Sequence, residues 1–462
     1  MDFRMSTQAQ DNWSGRTGFL LATIGSAVGI GSIWKFPYEA GANGGGAFVL
    51  LYLLGLALIV VPLLLAEFAI GRAGRSDCGE SLAMVTAGHG GGRRWAWLGA
   101  LGALTGFLIL SYYAVIGGWT LAYAVDTALL GLPGNDPGMV QARYDDFLAS
   151  PWRMLAFHAM FMGATMVIVA RGVGSGIETA CKVLMPMLFV LMLGLAAYSI
   201  IEGDVVAALR FLFLPNLDHV NARTALDALG LGFFSIGVGQ GLMITYAAFA
   251  GAEVNLRQVA LWSVLADTAI SLLAGLAVFP VVFAFSLDPA SGPGLVFVTL
   301  PIAFSRMPFG VVAASAFFLL LFVAALASAI SLLELVVSLI RRRTGWSQTK
   351  ASVIIAVLCY VTGIGTVLSF NLWAQWHPLA GQAWAGAQTQ GTLFDLLDYL
   401  TSNLLLPLVG LGIAIVAGWV MPRQVLVEQL HLTPTGALVL GMLLRWVVPA
   451  GIAAVALATV VG

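Results

Sequence analysis

The chain is predicted to be an all-α membrane protein with about eleven spanning helices, and three observations carry that expectation. Of its 462 residues, 60% are hydrophobic and 9% charged, where an ordinary soluble domain carries roughly 25% charged residues. Eleven stretches reach about the 20 apolar residues that a spanning helix needs: 17–38, 44–71, 95–126, 152–170, 176–200, 224–250, 258–286, 311–340, 349–369, 393–420 and 437–460. Two of them, the first and the sixth, are interrupted by glycines in matching ways. The stretches consume most of the chain with no long polar linker between them, so one membrane domain is expected over residues 1–462.

Segment 1 follows a polar N-terminus without a convincing small-residue cleavage site, so it reads as a retained helix and not as a signal peptide. Its middle holds Gly25, Gly29 and Gly31. Segments 2 to 5 run on in Leu, Val, Ala and Phe. The loop after segment 2 carries Arg72, Arg75, Arg93 and Arg94, and the loop after segment 3 carries Asp136, Asp145 and Asp146. Segment 6 is punctuated by Gly237, Gly239 and Gly241, and the loop after segment 8 carries Arg341, Arg342, Arg343 and Lys350. Basic loops stay cytoplasmic. The N-terminus is therefore expected inside, and eleven crossings would leave Gly462 outside, in the cell membrane.

Glycine costs about 1 kcal/mol relative to alanine inside a helix, and a backbone group freed at membrane depth needs an internal partner. Glycines four apart also serve close helix packing. What favours a site over packing is that the interruptions open two runs of five segments, 1–5 and 6–10. Five is odd, so the second run enters from the opposite face. The pattern is an inverted repeat, expected over 17–200 and 224–420 with an extra helix at 437–460, and matching broken helices point to a transport site at the midplane.

Other function classes fit poorly. A net charge of −1 implies no nucleic-acid partner. The five histidines form no H-E-x-x-H pair, which argues against a zinc enzyme. No strand-to-helix context exists for a nucleotide loop. Cys78, Cys181 and Cys359 suggest no disulfide framework.

Specific residues go further. Asn12-Trp13, Arg16, the run GSAVGIGSIWKFP over 25–37, Asn43 to Phe48, Ser111 to Tyr113, Phe233 to Tyr246, Leu265 to Thr268 and Asp398-Tyr399 resemble the neurotransmitter:sodium symporters. Within that family the chain is similar to the bacterial amino-acid branch of leucine, tryptophan and hydrophobic amino-acid transporters. The resemblance spans segments 1 to 10. It implies a leucine-transporter-like fold and sodium-coupled uptake of an L-amino acid by alternating access.

By that resemblance, one sodium is held by the carbonyl of Ala27, the side chains of Ser32, Ser235 and Asp267, and the substrate carboxylate. Ser32 stands where an asparagine is common. Relatives that require chloride have a neutral Asn at the position of Asp267, so chloride independence is expected, although Tyr52, Ser235 and Ser271 match chloride-site hydroxyls. Leu231 replaces the expected Gln. A second sodium would use the carbonyls of Gly25, Val28 and Ala324 and the hydroxyl of Ser328, with Ala327 where a further oxygen ligand is common. Losing that ligand weakens the second site.

The substrate carboxylate would lie at Gly29 to Gly31 and meet the Tyr113 hydroxyl. Its ammonium would meet carbonyls near Ala27, Phe234 and Ser235, and its side chain would lie among Ile109, Gly237, Gln240, Ser328 and Leu332. Monoamine carriers place an Asp at Gly29, so here the substrate should bring its own carboxylate. Gln240 replaces an aromatic and suggests a substrate larger than alanine. Lys35 and Asp398 resemble the outer gate pair. The inner gate departs from the family, with Gln10, Arg342 and Phe249 where Arg, Asp and Tyr are common. Glu67 and Glu334 are expected to serve structural hydrogen bonds. A proton-coupled carrier using Asp267, and a transport-inactive sensor, are the rival readings. Oligomeric state and the particular amino acid are left open.

Overall fold

The computed structural model describes residues 13–88, 92–134, 136–216, 220–289, 294–382 and 390–461, and the described residues form helices and connecting turns. Nine helices among them are long and apolar enough to cross a membrane: Gly46–Gly74, Gly92–Leu130, Pro151–Ala170, Val173–Glu202, Leu256–Ala284, Gly310–Thr344, Gln348–Ser369, Leu393–Val420 and Pro434–Leu457. A tenth span is the bent pair Arg16–Ala27 and Gly31–Ala42, which turns through 50° at its break. The sixth segment exists as two pieces, Ala222–Ile236 and Leu242–Ala248, separated by the expected glycines. Each piece is too short to span alone, because the three glycines end one helix before the next begins. We number the spans 1 to 11 in chain order, with spans 1 and 6 broken.

Span 3 (Gly92–Leu130) and span 8 (Gly310–Thr344) make the most extensive helix pairing, and span 5 (Val173–Glu202) lies along span 7 (Leu256–Ala284). The first half of span 1 packs against spans 5, 7 and 8, and the second half of span 6 lies against span 2 (Gly46–Gly74). Both breaks are thus enclosed by continuous helices, which supply the internal partners that freed backbone needs at membrane depth.

Five short helices were not expected: Cys78–Val85, Pro137–Leu148, Val205–Phe213, Leu300–Ser305 and Arg423–Leu430. Three have a local cause. Asp77, Asp136 and Asp204 each accept backbone N–H groups of the first turn that follows, and such caps stabilise a helix by about 1 kcal/mol. The three cysteines are free and buried.

Candidate functional site

The two breaks face one another. The first half of span 1 ends at Ala27, and Val28 turns to an extended conformation with ψ 100°. Gly29 needs its missing side chain, since a methyl group there would lie 2.5 Å from the Ser328 Oγ and 3.3 Å from the Tyr113 hydroxyl. In span 6, Gly237, Gly239 and Gly241 have φ of +70°, +83° and +77°, a region that only glycine enters readily. The carboxylate of buried Glu67 on span 2 accepts the Gly239 N–H at 2.6 Å. This contact holds the unwound stretch of span 6 in place.

A cavity of about 50 Å³ lies between the breaks. All eleven residues expected to bind substrate line it: Ala27, Gly29, Gly31, Ile109, Tyr113, Phe234, Ser235, Gly237, Gln240, Ser328 and Leu332. Ser26, Ile30, Phe233, Leu242 and Leu406 also line it, and nothing in the local pattern of span 10 (Leu393–Val420) had singled out Leu406. The Tyr113 hydroxyl accepts the Ile30 N–H at 3.4 Å, which aims it at the start of the second half of span 1. Free N–H groups at such a helix start attract anions. Gln240 sends its Nε2 towards the Gly237 carbonyl at 3.4 Å.

Beside this cavity lies a fully buried carboxylate. Asp267 accepts hydrogen bonds from Ser32 Oγ at 2.5 Å, from Ser235 Oγ at 2.9 Å and from the Tyr52 hydroxyl at 3.0 Å. Ser32 and Ser235 are themselves 2.9 Å apart. The cluster joins spans 1, 2, 6 and 7, and its partners are hydroxyls with lone pairs to spare. A carboxylate at membrane depth calls for a counter-charge, and a hard cation prefers such oxygen donors. Of the three hydroxyls expected to match a chloride site, Tyr52 and Ser235 are turned onto this carboxylate.

The residues expected at a second ion are gathered less tightly. Ser328 Oγ approaches the Ser26 carbonyl at 3.4 Å, next to the break at Val28. Ala324 and Ala327 are fully buried, and the face of Gly25 is packed against Met185 and Cys181 of span 5.

The sodium:neurotransmitter symporter family matches residues 10–139 and 149–374. The chain belongs to this family. The symporter is 37% identical over 405 residues to an uncharacterised sodium-dependent transporter of Bacillus subtilis, YhdH, covering 87% of this chain and 86% of that protein. It is 31% identical over 426 residues to an uncharacterised sodium-dependent transporter of Haemophilus influenzae, covering 91% of each. Among solved structures it resembles MhsT in complex with L-phenylalanine, with a TM-score of 0.87 and 38% identity over 97% of this chain and 99% of that one. The fold is therefore leucine-transporter-like, and the protein is a multi-pass sodium-dependent transporter rather than an enzyme.

At the end expected to face outward, the symporter does not pair Lys35 with Asp398 in this structure. The Lys35 ammonium sits 5.0 Å above the Phe234 ring, a cation–π arrangement, while Asp398 accepts from Tyr112 and Ser402, each at 3.1 Å. Of the residues expected at the inner gate, Gln10 lies outside the described residues, as does Asn12, and Arg342 donates to the Arg75 carbonyl at 3.5 Å. Other groups make the contacts at this end. Trp13 is buried, donates its indole N–H to the Tyr246 carbonyl at 3.0 Å, and donates its backbone N–H to the Phe249 carbonyl at 3.3 Å. Ser14 donates its N–H to Glu178 of span 5 at 2.8 Å and its hydroxyl to the same carboxylate. The Glu178 carboxylate lies against Gly18, so a side chain there would displace it. Lys182, one turn along, pairs with Glu178 at 2.6 Å. Glu334 accepts from Gln348 at 2.8 Å.

Proposed function

We propose that this symporter carries an L-amino acid into the cell together with sodium, by alternating access and without a need for chloride. The observation that carries the reading is the gathering of Ser32, Ser235 and Asp267, from the two broken spans and span 7, beside the cavity at Gly29 to Gly31. Sodium bound by those side chains and the Ala27 carbonyl would meet the substrate carboxylate directly. Each ligand then completes the other's site, which is a physical basis for coupling. Tyr113 positions the carboxylate, and the carbonyls around Ala27, Phe234 and Ser235 receive the ammonium. The substrate side chain lies among Ile109, Gly237, Gln240, Ser328 and Leu332. MhsT, bound to L-phenylalanine in its structure, supports an amino-acid cargo.

Asp267 supplies the negative charge that chloride would otherwise bring, since its carboxylate already takes the hydroxyls of Tyr52 and Ser235. A second sodium would be held by the carbonyls of Gly25, Val28 and Ala324 with Ser328. Residues 17–200 and 224–420 form the inverted repeats, with 437–460 as an extra helix. The N-terminus lies in the cytoplasm and the C-terminus outside, a reading supported by the basic loops. Lys35 and Asp398 close the outer path once substrate draws span 1 towards span 10.

The test is uptake of a labelled amino-acid panel into liposomes, with sodium, potassium or choline outside and gluconate in place of chloride. Sodium-driven, chloride-indifferent accumulation is expected. Accumulation on a proton gradient without sodium would replace this reading with a proton-coupled carrier, and binding without accumulation would replace it with a sensor.

A further inference from the structure

The end of span 10 and the middle of span 11 (Pro434–Leu457) carry a cluster that the transport reading leaves unused. The two helices cross closely at Gly418, where an added methyl would lie 2.8 Å from the Leu444 carbonyl and 2.9 Å from the Arg445 Cα. This crossing sets Trp419 beside Arg445. The Arg445 guanidinium stacks 4.1 Å from the Trp419 ring and lies 5.9 Å from Trp446. The two indoles pack edge to face at 5.0 Å, and they remain 48% and 61% exposed on the outer face of the helices.

Two features separate this cluster from a simple anchor. The Arg445 Nε is buried and has no hydrogen-bond partner among the described residues. The ion pairs formed by the described residues are Arg153 with Asp126 and Lys182 with Glu178, so among the described residues no carboxylate pairs with Arg445. A second guanidinium is close by: a methyl on Gly441, one turn before Arg445, would lie 3.6 Å from the Arg423 Nε. Two cations with aromatic flanks thus share one surface of the protein.

The level of this surface in the membrane follows from its neighbours. Arg423 opens the short helix Arg423–Leu430, whose Gln429 accepts from Arg72 at 2.9 Å. Arg72 and Arg75 lie at the basic end of the molecule, the end that faces the cytoplasm. Tryptophans at that height are interfacial, and the cytoplasmic leaflet carries the anionic lipids.

We propose that Arg445 and Arg423, flanked by Trp419 and Trp446, bind the phosphate headgroup of an anionic phospholipid at the cytoplasmic interface. A planar guanidinium grips phosphate through two parallel hydrogen bonds, and the tryptophans hold Arg445 in place while they flank the glycerol backbone and upper acyl chain. The site lies outside the transport cavity, so it does not depend on the substrate assignment.

The experiment measures phosphatidylglycerol retention by native mass spectrometry, and thermal stability, on delipidated full-length protein returned to phosphatidylcholine nanodiscs with or without phosphatidylglycerol. Wild type should retain phosphatidylglycerol about tenfold better than Arg445→Gln or the Arg423→Gln/Arg445→Gln double variant, and should gain melting temperature from it while they do not. Arg423→Gln alone, at an exposed position, should lose part of the effect and covers the case in which Arg445→Gln fails to fold. Equal retention by wild type and the variants would overturn the proposal. So would an equal stabilisation by inorganic phosphate in phosphatidylcholine alone, which would make the cluster a free-anion site.

Discussion

At the residue scale, the proposed ion chemistry turns on Asp267. Replacing it with Asn leaves the hydrogen-bonding shape nearly intact and removes the fixed charge. Asp267→Asn is expected to lower sodium-driven uptake at least about tenfold in gluconate, equivalent to about 1.4 kcal/mol, and to recover part of it when chloride is restored, as read from initial uptake rates in the two media. Gly29 tests the geometry of the cavity. Gly29→Ala forces a methyl onto the Ser328 hydroxyl 2.5 Å away, and overpacking of this kind costs about 1–3 kcal/mol. Substrate affinity should fall roughly 5- to 150-fold by equilibrium binding. The Ser328 Cβ would be 3.4 Å from the new methyl, so adding Ser328→Ala should return part of the loss. A double variant no better than Gly29→Ala would place the cause elsewhere.

At the scale of elements, the unwound part of span 6 depends on one carboxylate. Glu67→Gln removes a charged acceptor from the Gly239 N–H, and hydrogen bonds to charged groups contribute about 1.5–3 kcal/mol. A lower melting temperature and weaker substrate binding are expected together, measured with and without sodium; an unchanged melt would mean the three glycines hold their conformation unaided. Both broken spans were legible in the sequence because glycine interruptions stand out against continuous Leu and Val. The cavity lining was legible because the family motifs carried each residue to its place, from Ala27 to Leu332. The contacts that hold the breaks were not. Glu67 meets Gly239 across 172 residues and Ser14 meets Glu178 across 164, and no periodicity encodes a pairing at that distance. Lys35 illustrates the same limit, since its motif position does not reveal that its ammonium rests over Phe234 in this conformation. The short helices after Asp77, Asp136 and Asp204 were readable in principle from their caps, but a search for long apolar runs passes over them.

At the scale of the whole molecule, we propose that the inner path is closed by Trp13 and by the Ser14–Glu178 contact, which tie the start of span 1 to spans 6 and 5. Cys181, buried on span 5 against Gly25, reports whether that seal opens. With Cys78 and Cys359 replaced by alanine, Trp13→Ala is expected to speed maleimide labelling of Cys181 about tenfold, as a shift of about 1.4 kcal/mol towards an inward-open population would require. Sodium with substrate should change the labelling rate of the parent as well; identical rates in all conditions would separate Trp13 from closure. Sodium bound only by the folded protein should also raise its stability, by about 2.7 kcal/mol at a hundredfold excess over Kd, and the gain in melting temperature should persist when gluconate replaces chloride.

Ser328 has a wider consequence. Its hydroxyl lines the substrate cavity, reaches the Ser26 carbonyl at the break of span 1, and forbids a side chain at Gly29. On the proposed reading, diet and energetics are written at one address. If Ser328 holds the proposed second sodium, a descendant that edits this position to accept a bulkier cargo also alters the grip on that ion, and cargo preference and the number of ions consumed per cycle are then tied together through this residue.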